Sequence, residues 1–320
     1  MASAQFRGIL KDQDQRWTKL RRDINRIGLA YLFILPGLIL FIALVLMPVA
    51  QAFRYSLYDW DGFTPLSADY YVKLGNYERL YDHEVFQSAF KNTFLLMVLS
   101  LTIQLPLGML LALMVGRGNL PGRRVFRALL FLPYVFSEII AAIIWSYVLH
   151  PTDGLANLTF DTFIPGFEAQ PWLGDPKLVI YAIFAVLTWK YFGFYMILYM
   201  AGLQGVPSDL EDAARVDGAN WWRVIAYVTF PMMAPTIRLT VYLSVLGSFQ
   251  QFVLVQFLTR GGNPVNAGHV LSTYLFKFGI QRFRLGYGSA VAIILFLITL
   301  LFSLGYQRYI MQRDFSVEDI

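Results

Sequence analysis

The sequence predicts an all-α, polytopic integral membrane protein of six transmembrane helices with both termini cytoplasmic, and three observations predict it. Of 320 residues, 57% are hydrophobic and 15% charged, where a soluble domain carries about 25% charged residues. Mean hydropathy is +0.52, so the apolar side chains exceed what a water-surrounded core can hide. The net charge of +5 falls at the ends of apolar stretches, which points to a lipid partner and to no nucleic acid.

About 20 helical residues cross a bilayer core, and a helix is the default because lipid offers backbone groups no partners. The first stretch is uncharged from Ile27 to Phe53. It exceeds the h-region of a signal peptide and lacks a small-residue cleavage pattern after Met47-Pro48, so it is read as retained. The second runs from Asn92 to Gly116 and the last from Leu285 to Gln307. Between them lie Ala128–Leu149, Leu178–Leu203 and about Met232–Val255, each with one ionisable residue: Glu138, Lys190 and Arg238. Pro36, Pro106 and Pro133 fall inside spans and are expected to kink or locally open them. The chain divides into a basic N-terminal segment 1–28, a six-span core 29–310 that includes a cytoplasmic loop 205–231, and a tail 311–320.

Basic loops resist translocation, so Lys and Arg set the orientation. Arg7, Lys11, Arg16, Lys19, Arg21, Arg22 and Arg26 precede the first span, and Arg117, Arg123, Arg124 and Arg127 follow the second. Both segments belong inside. The segment Arg54–Lys91 has four bases against six acids and belongs outside. An even span count also places Gln256–Gly288 outside, although it carries Arg260, Lys277, Arg282 and Arg284 and no acid.

Several function classes drop out. With no cysteine there is no disulfide framework, thiolate site or cysteine nucleophile. His83, His150 and His269 lie far apart, without the short spacing of a metal site. No G-x-x-x-x-G-K-[ST] occurs, so nucleotide phosphates have no cradle here. The chain is expected to be no enzyme, with no catalytic residue, no metal and no cofactor of its own.

A charge at mid-span costs about 2.5–3.5 kcal/mol on the insertion scale, so Glu138 and Lys190 each need a reason. They either pair with each other, bind backbone carbonyls, or face a pathway in which Lys190 meets substrate. Arg238 lies near a span end and can snorkel.

The loop between the fourth and fifth spans reads Gly205-Val206-Pro207-Ser208-Asp209-Leu210-Glu211-Asp212-Ala213-Ala214-Arg215-Val216-Asp217-Gly218-Ala219. It predicts a short capped helix: Ser208 and Glu211 at capping-box spacing, acids at the positive end, and Gly218 for a left-handed stop. Leu210, Ala213 and Ala214 make a small apolar face suited to docking.

This loop resembles the E-A-A, two residues, D-G-A signature of permease subunits of binding-protein-dependent ABC importers, in their carbohydrate-uptake branch. Asp212 stands where the family has Glu, with Glu211 beside it, and Pro231 and Pro235 follow. Lys73-Leu74-Gly75-Asn76-Tyr77, Asn92-Thr93, Leu132-Pro133-Tyr134, Gly154-Leu155-Ala156-Asn157 and Leu258-Thr259-Arg260-Gly261-Gly262 resemble further family segments in order. The resemblance implies a type I ABC importer permease fold in a bacterial or archaeal cytoplasmic membrane. It implies as partners a second, related permease, two ATPases holding ATP and Mg, and an extracytoplasmic solute-binding protein. Glu211, Asp212, Ala213, Ala214, Asp217 and Gly218 would form the joint with an ATPase.

Sugars are bound by stacking on aromatic rings and by hydrogen bonds from amides, hydroxyls and charged groups. Trp189, Lys190, Tyr191 and Phe194 in the fourth span, and Ser248, Phe249, Gln250 and Gln251 in the fifth, are the pathway candidates; by resemblance they match segments lining a sugar site. Packing or helix–helix hydrogen bonding would also account for them. The expected substrate is a sugar or oligosaccharide. An anionic polyol or acidic sugar such as glycerol 3-phosphate is the alternative, and a stand-alone secondary transporter or channel the reading from another class.

Overall fold

The structure, a computed structural model, describes residues 31–116 and 121–311. The basic segment 1–28, all of the tail 311–320 except Met311, and the basic Arg117 lie outside the described residues. The chain divides into two compact units, Met1–Arg54 and Tyr55–Ile320. In the first, helix α1 (Tyr31–Tyr55) carries a π-helical turn at Ile42–Leu46, directly before Pro48. Residues 31–48 are exposed, as expected of an apolar helix that meets lipid or another chain.

In the second unit, α2 (Gly75–Tyr81) precedes α3 (Glu84–Gly116), and α4 (Arg123–Val135) and α5 (Glu138–Val148) follow. Next come α6 (Leu155–Phe163), α7 (Val179–Gln204) and α8 (Ser208–Val216). After α9 (Trp221–Met232) and α10 (Ala234–Gln250), the chain forms α11 (Val253–Leu258) and α12 (Leu271–Tyr274), which continues as π-helical turns at Leu275–Ile280. The last helix is α13 (Leu285–Tyr309). Four helices, α1, α3, α7 and α13, are long and apolar enough to cross a membrane unbroken.

The third and fifth expected spans are not single helices. They are the bent pairs α4/α5, at 99°, and α9/α10, at 72°, so the count is four to six according to whether each pair is one span. Prolines, which lack a backbone donor, stand near both breaks. Pro133 lies inside α4, two residues before its end, and Pro231 and Pro235 flank the α9/α10 break at Met233. In α3 the relief is milder: a π-helical turn, Ser100–Gln104, directly before Pro106. Side-chain caps open two of these helices, whereas α10 starts after Met233 without one. Ser137 Oγ accepts from Ile140 N at 3.3 Å to open α5, and Asn220 Oδ1 accepts from Arg223 N at 3.0 Å to open α9.

Helix α7 is the centre of the unit. Its Val179, Ile183 and Val186 pack with Ala141 and Ala142 of α5 and Leu254 of α11, while Tyr195, Met196 and Tyr199 pack with Leu105, Met109 and Ala112 of α3. Where α4 crosses α7, Gly193 is required: a Cβ there would lie 2.1 Å from the Leu130 carbonyl oxygen.

A third cluster joins Phe86 and Ala89 of α3 with Leu271, Tyr274 and Phe278 around α12 and with Tyr287 and Val291 of α13. The segment 256–284 is tied down through its basic residues. Lys277 Nζ donates to Gly261 O at 2.8 Å and to Asn266 Oδ1 at 2.9 Å, and Arg282 lies 4.3 Å from the Phe278 ring centroid. These bonds give two of its four bases a local use.

His269 in this segment is fully buried, with Nδ1 3.1 Å from Thr273 Oγ1 and no partner for Nε2 among the described residues. Burial, with the Lys277 charge adding to it, pushes its pKa from 6.5 down to about 4. The unfolded chain therefore binds more protons than the folded one between these values. Stability conferred by a neutral His269 is complete above pH 6.5 and declines as pH falls toward about 4. Thermal midpoints of the detergent-purified chain across that range should fall with pH, and His269→Gln should flatten the slope; equal slopes would refute the assignment.

Candidate functional site

A cavity of about 310 Å³ opens between α3, α4, α5, α7 and α10. One wall is aromatic. The Tyr134 and Phe194 rings stack at 4.9 Å and 16°, with Tyr191 6.0 Å from Tyr134. The opposite side is polar: Ser100 and Gln104 from α3, Ser244, Ser248 and Gln250 from α10, and Gln251 at the helix end. Ser100 Oγ meets Ser244 Oγ at 2.8 Å, Gln104 Nε2 donates to Leu187 O at 3.0 Å, and Gln104 Oε1 accepts from Ser100. The side-chain oxygen of Gln251 has no partner among the described residues.

Of the residues singled out from sequence, the structure brings Tyr191, Phe194, Ser248, Gln250 and Gln251 to this cavity, together with Glu138. Trp189, Lys190 and Phe249 are not among its lining. Trp189 stacks on Phe136 at 6.3 Å and meets Trp145 edge-on at 5.5 Å. Phe249 is buried edge-on against Phe94 at 5.2 Å. Ser100, Gln104 and Ser244 are polar lining residues that sequence reading passed over. A signal was present: Ser100/Gln104 and Ser244/Ser248 repeat at i, i+4, which sets both members of each pair on one helix face.

The two mid-span charges do not form an ion pair. Lys190, 4% exposed, donates from Nζ to Phe136 O at 2.5 Å and Tyr134 O at 3.4 Å, the carbonyls that end α4. Its ammonium also lies 5.5 Å from the Tyr191 ring centroid. Glu138 opens α5 and accepts from Tyr191 OH at 2.6 Å through Oε1 and from Leu254 N at 3.2 Å through Oε2. Leu254 lies in the first turn of α11. Each charge therefore meets the helix end of opposite partial charge, the cation at a C-terminus and the carboxylate at an N-terminus. Bonding to backbone groups, one of the alternatives left open for Lys190, is the arrangement found.

On the loop at 205–231, α8 ends as expected. Gly218 takes φ +85°, Ala219 N donates to Ala214 O at 2.9 Å and Gly218 N to Arg215 O at 3.0 Å, a Schellman stop. Its start differs from expectation. Pro207 is the N-cap and no side chain caps the helix. Ser208 is already inside it, and Glu211 turns inward, 6% exposed, to accept from Thr229 Oγ1 at 2.6 Å. Asp212 points out to an exposed ion pair with Arg215 at 2.8 Å. Ala213, Asp217 and Gly218 are exposed and Ala214 half-buried. Leu210, Val216, Trp221 and Trp222 add exposed apolar surface, Val216 at 88%.

This loop and the cavity helices, apart from the part of α3 before Gln104, lie within the stretch 104–315, which matches the family of binding-protein-dependent transport system inner membrane components. The chain belongs to that family. As an ABC importer permease it is a transport subunit of the membrane and not an enzyme. It is 32% identical over 276 residues to a probable ABC transporter permease of Pyrococcus horikoshii, covering 86% of this chain and 93% of that one. It is 31% identical to the diacetylchitobiose uptake system permease of Streptomyces coelicolor, covering 90% and 83%. Among solved structures, a bacterial ABC transporter involved in import of the acidic polysaccharide alginate superposes with a TM-score of 0.75 at 26% identity, covering 91% of the permease and 99% of that chain. The permease thus has the type I importer fold, with bends where a count of apolar residues draws straight spans.

Proposed function

We propose that this permease forms half of the translocation pathway for a sugar or oligosaccharide in an ATP-driven importer of a bacterial or archaeal cytoplasmic membrane. Its assembly contains a second, related permease, two ATPases that hold ATP and Mg, and an extracytoplasmic solute-binding protein. The observation that carries the substrate class is the cavity: stacked Tyr134 and Phe194 offer ring faces to sugar C–H groups, while hydroxyls and amides on α3 and α10 match sugar hydroxyls. Among the described residues Glu138 is the one charged side chain in the lining, and a carboxylate disfavours an anion, which supports a neutral sugar over an acidic one. The uptake systems named for the relatives, diacetylchitobiose among them, support the same class.

Energy enters through the loop. α8 with Leu210, Ala213 and Val216 seats in an ATPase groove, and closure of the ATPases shifts the population toward an outward-open state. Asp212, Asp217 and Gly218 complete the exposed joint, and Glu211 backs it from within. Affinity purification of the tagged chain from its host membranes, with mass spectrometry of what accompanies it, tests this. A Walker-A ATPase and a second permease should be recovered, and Leu210→Arg should lose the ATPase while keeping the second permease. Recovery of this chain alone, still transporting without ATP, would refute the reading.

A further inference from the structure

The inward turn of Glu211 gives α8 a second attachment to the fifth span. Residues 217–220 join α8 to α9 covalently, with Gly218 stopping one helix and Asn220 capping the next. Residues 205–207 join the start of α8 to α7, with Val206 buried, and neither short connection by itself fixes the angle between α8 and α9. The contact from Glu211, in the first turn of α8, to Thr229, two turns along α9, ties that end of α8 to α9. Thr229 is fully buried, closes the π-helical turn Ile225–Thr229 and stands four residues before the break at Met233. A cavity of about 200 Å³ opens at the contact, lined by Glu211 and Thr229 themselves with Leu113, Arg215, Trp221 and Ile225.

We propose that Thr229 is a positioning residue that latches α8 to α9 through Glu211, so that displacement of α8 is delivered to the 72° break of the fifth span. This rests on the reading of α8 as the ATPase-docking element. Two attachment points make α8 and α9 one rigid piece, and the compliance then lies at Met233, where Pro231 and Pro235 interrupt the hydrogen-bond ladder. Beyond the break, α10 carries Ser244, Gly247 and Ser248 into the cavity, so movement about Met233 changes access to that space. The neighbouring acids divide the work, Asp212 facing the partner and Glu211 facing the span.

The test uses the assembled transporter in membrane vesicles and a reporter cysteine at Gly247, where an added Cβ meets nothing within 4 Å and the chain supplies no competing thiol. A membrane-impermeant maleimide is applied from outside, with and without ATP and vanadate. In the otherwise unaltered chain, trapping should raise labelling. Thr229→Val keeps the shape and removes the hydroxyl, and should hold labelling at background, a loss of about fivefold or more, the order of one charge-assisted hydrogen bond. Vanadate-trapped nucleotide should remain in that variant, and Thr229→Ser should restore the rise. Should the valine variant fail to assemble, Thr229→Ala is read the same way. A rise in Thr229→Val equal to that of the unaltered background would overturn the latch. No nucleotide-dependent labelling in that background would instead overturn the docking role of α8, and the latch with it.

Discussion

Gly193→Ala should lower the stability of the permease by about 3 kcal/mol, the upper range for overpacking a tight contact. The added methyl would lie 2.1 Å from the Leu130 carbonyl oxygen and 2.9 Å from the Phe131 Cα. Both are backbone atoms of α4, so no side chain can rotate away and the two helices must separate. That separation would pull the Phe136 and Tyr134 carbonyls from Lys190 and part Tyr134 from Phe194, so the defect spreads to the cavity wall. The measurement is the thermal midpoint of the detergent-purified chain, with Gly247→Ala as control. At Gly247 a Cβ meets nothing within 4 Å, and alanine's helix propensity should leave stability unchanged or raise it by up to about 1 kcal/mol. Equal midpoints for the two variants would show that the α4–α7 crossing is looser than described.

Lys190→Met should cost roughly 2–3 kcal/mol, because two carbonyls at the end of α4 lose their buried donor. The thioether fills the space but donates nothing. Since Lys190 is buried behind Tyr134 and Tyr191 and is absent from the cavity lining, solute selectivity per folded complex should not change. Thermal denaturation and uptake competition by neutral against acidic sugars, measured on the same preparation, separate the alternatives. Lost stability with kept selectivity supports the structural role; altered selectivity at unchanged stability would move Lys190 into the pathway.

Sequence reading located the apolar segments well and their directions poorly. α3, α7 and α13 are legible because a bilayer imposes length and apolarity together, and both can be read off a run of residues. The bends at Ser137 and Met233 are not legible that way, since hydropathy counts residues without regard to heading. The local signs were Pro133 followed by Ser137-Glu138, a stop and then a cap with an acid in the first turn, and Pro231 with Pro235. The cavity was half legible. Aromatic and amide clusters on α7 and α10 announce themselves, whereas Ser100 and Gln104 are two polar residues diluted in an apolar span. Glu211 marks where local rules compete. Ser208-x-x-Glu211 fits a capping box, yet a buried threonine hydroxyl eighteen residues on takes the carboxylate, a tertiary partner that spacing alone cannot announce.

The break at Met233 also sets a length scale. At 1.5 Å per residue, α9 is an arm about 18 Å long, so a tilt of about 10° carries its far tip roughly 3 Å. That is close to the width of a methyl group. A sub-degree adjustment at the elbow would go unnoticed at the α8 end, whereas a displacement of one atomic diameter there requires an angular change large enough to shift the side chains that α10 presents to the cavity.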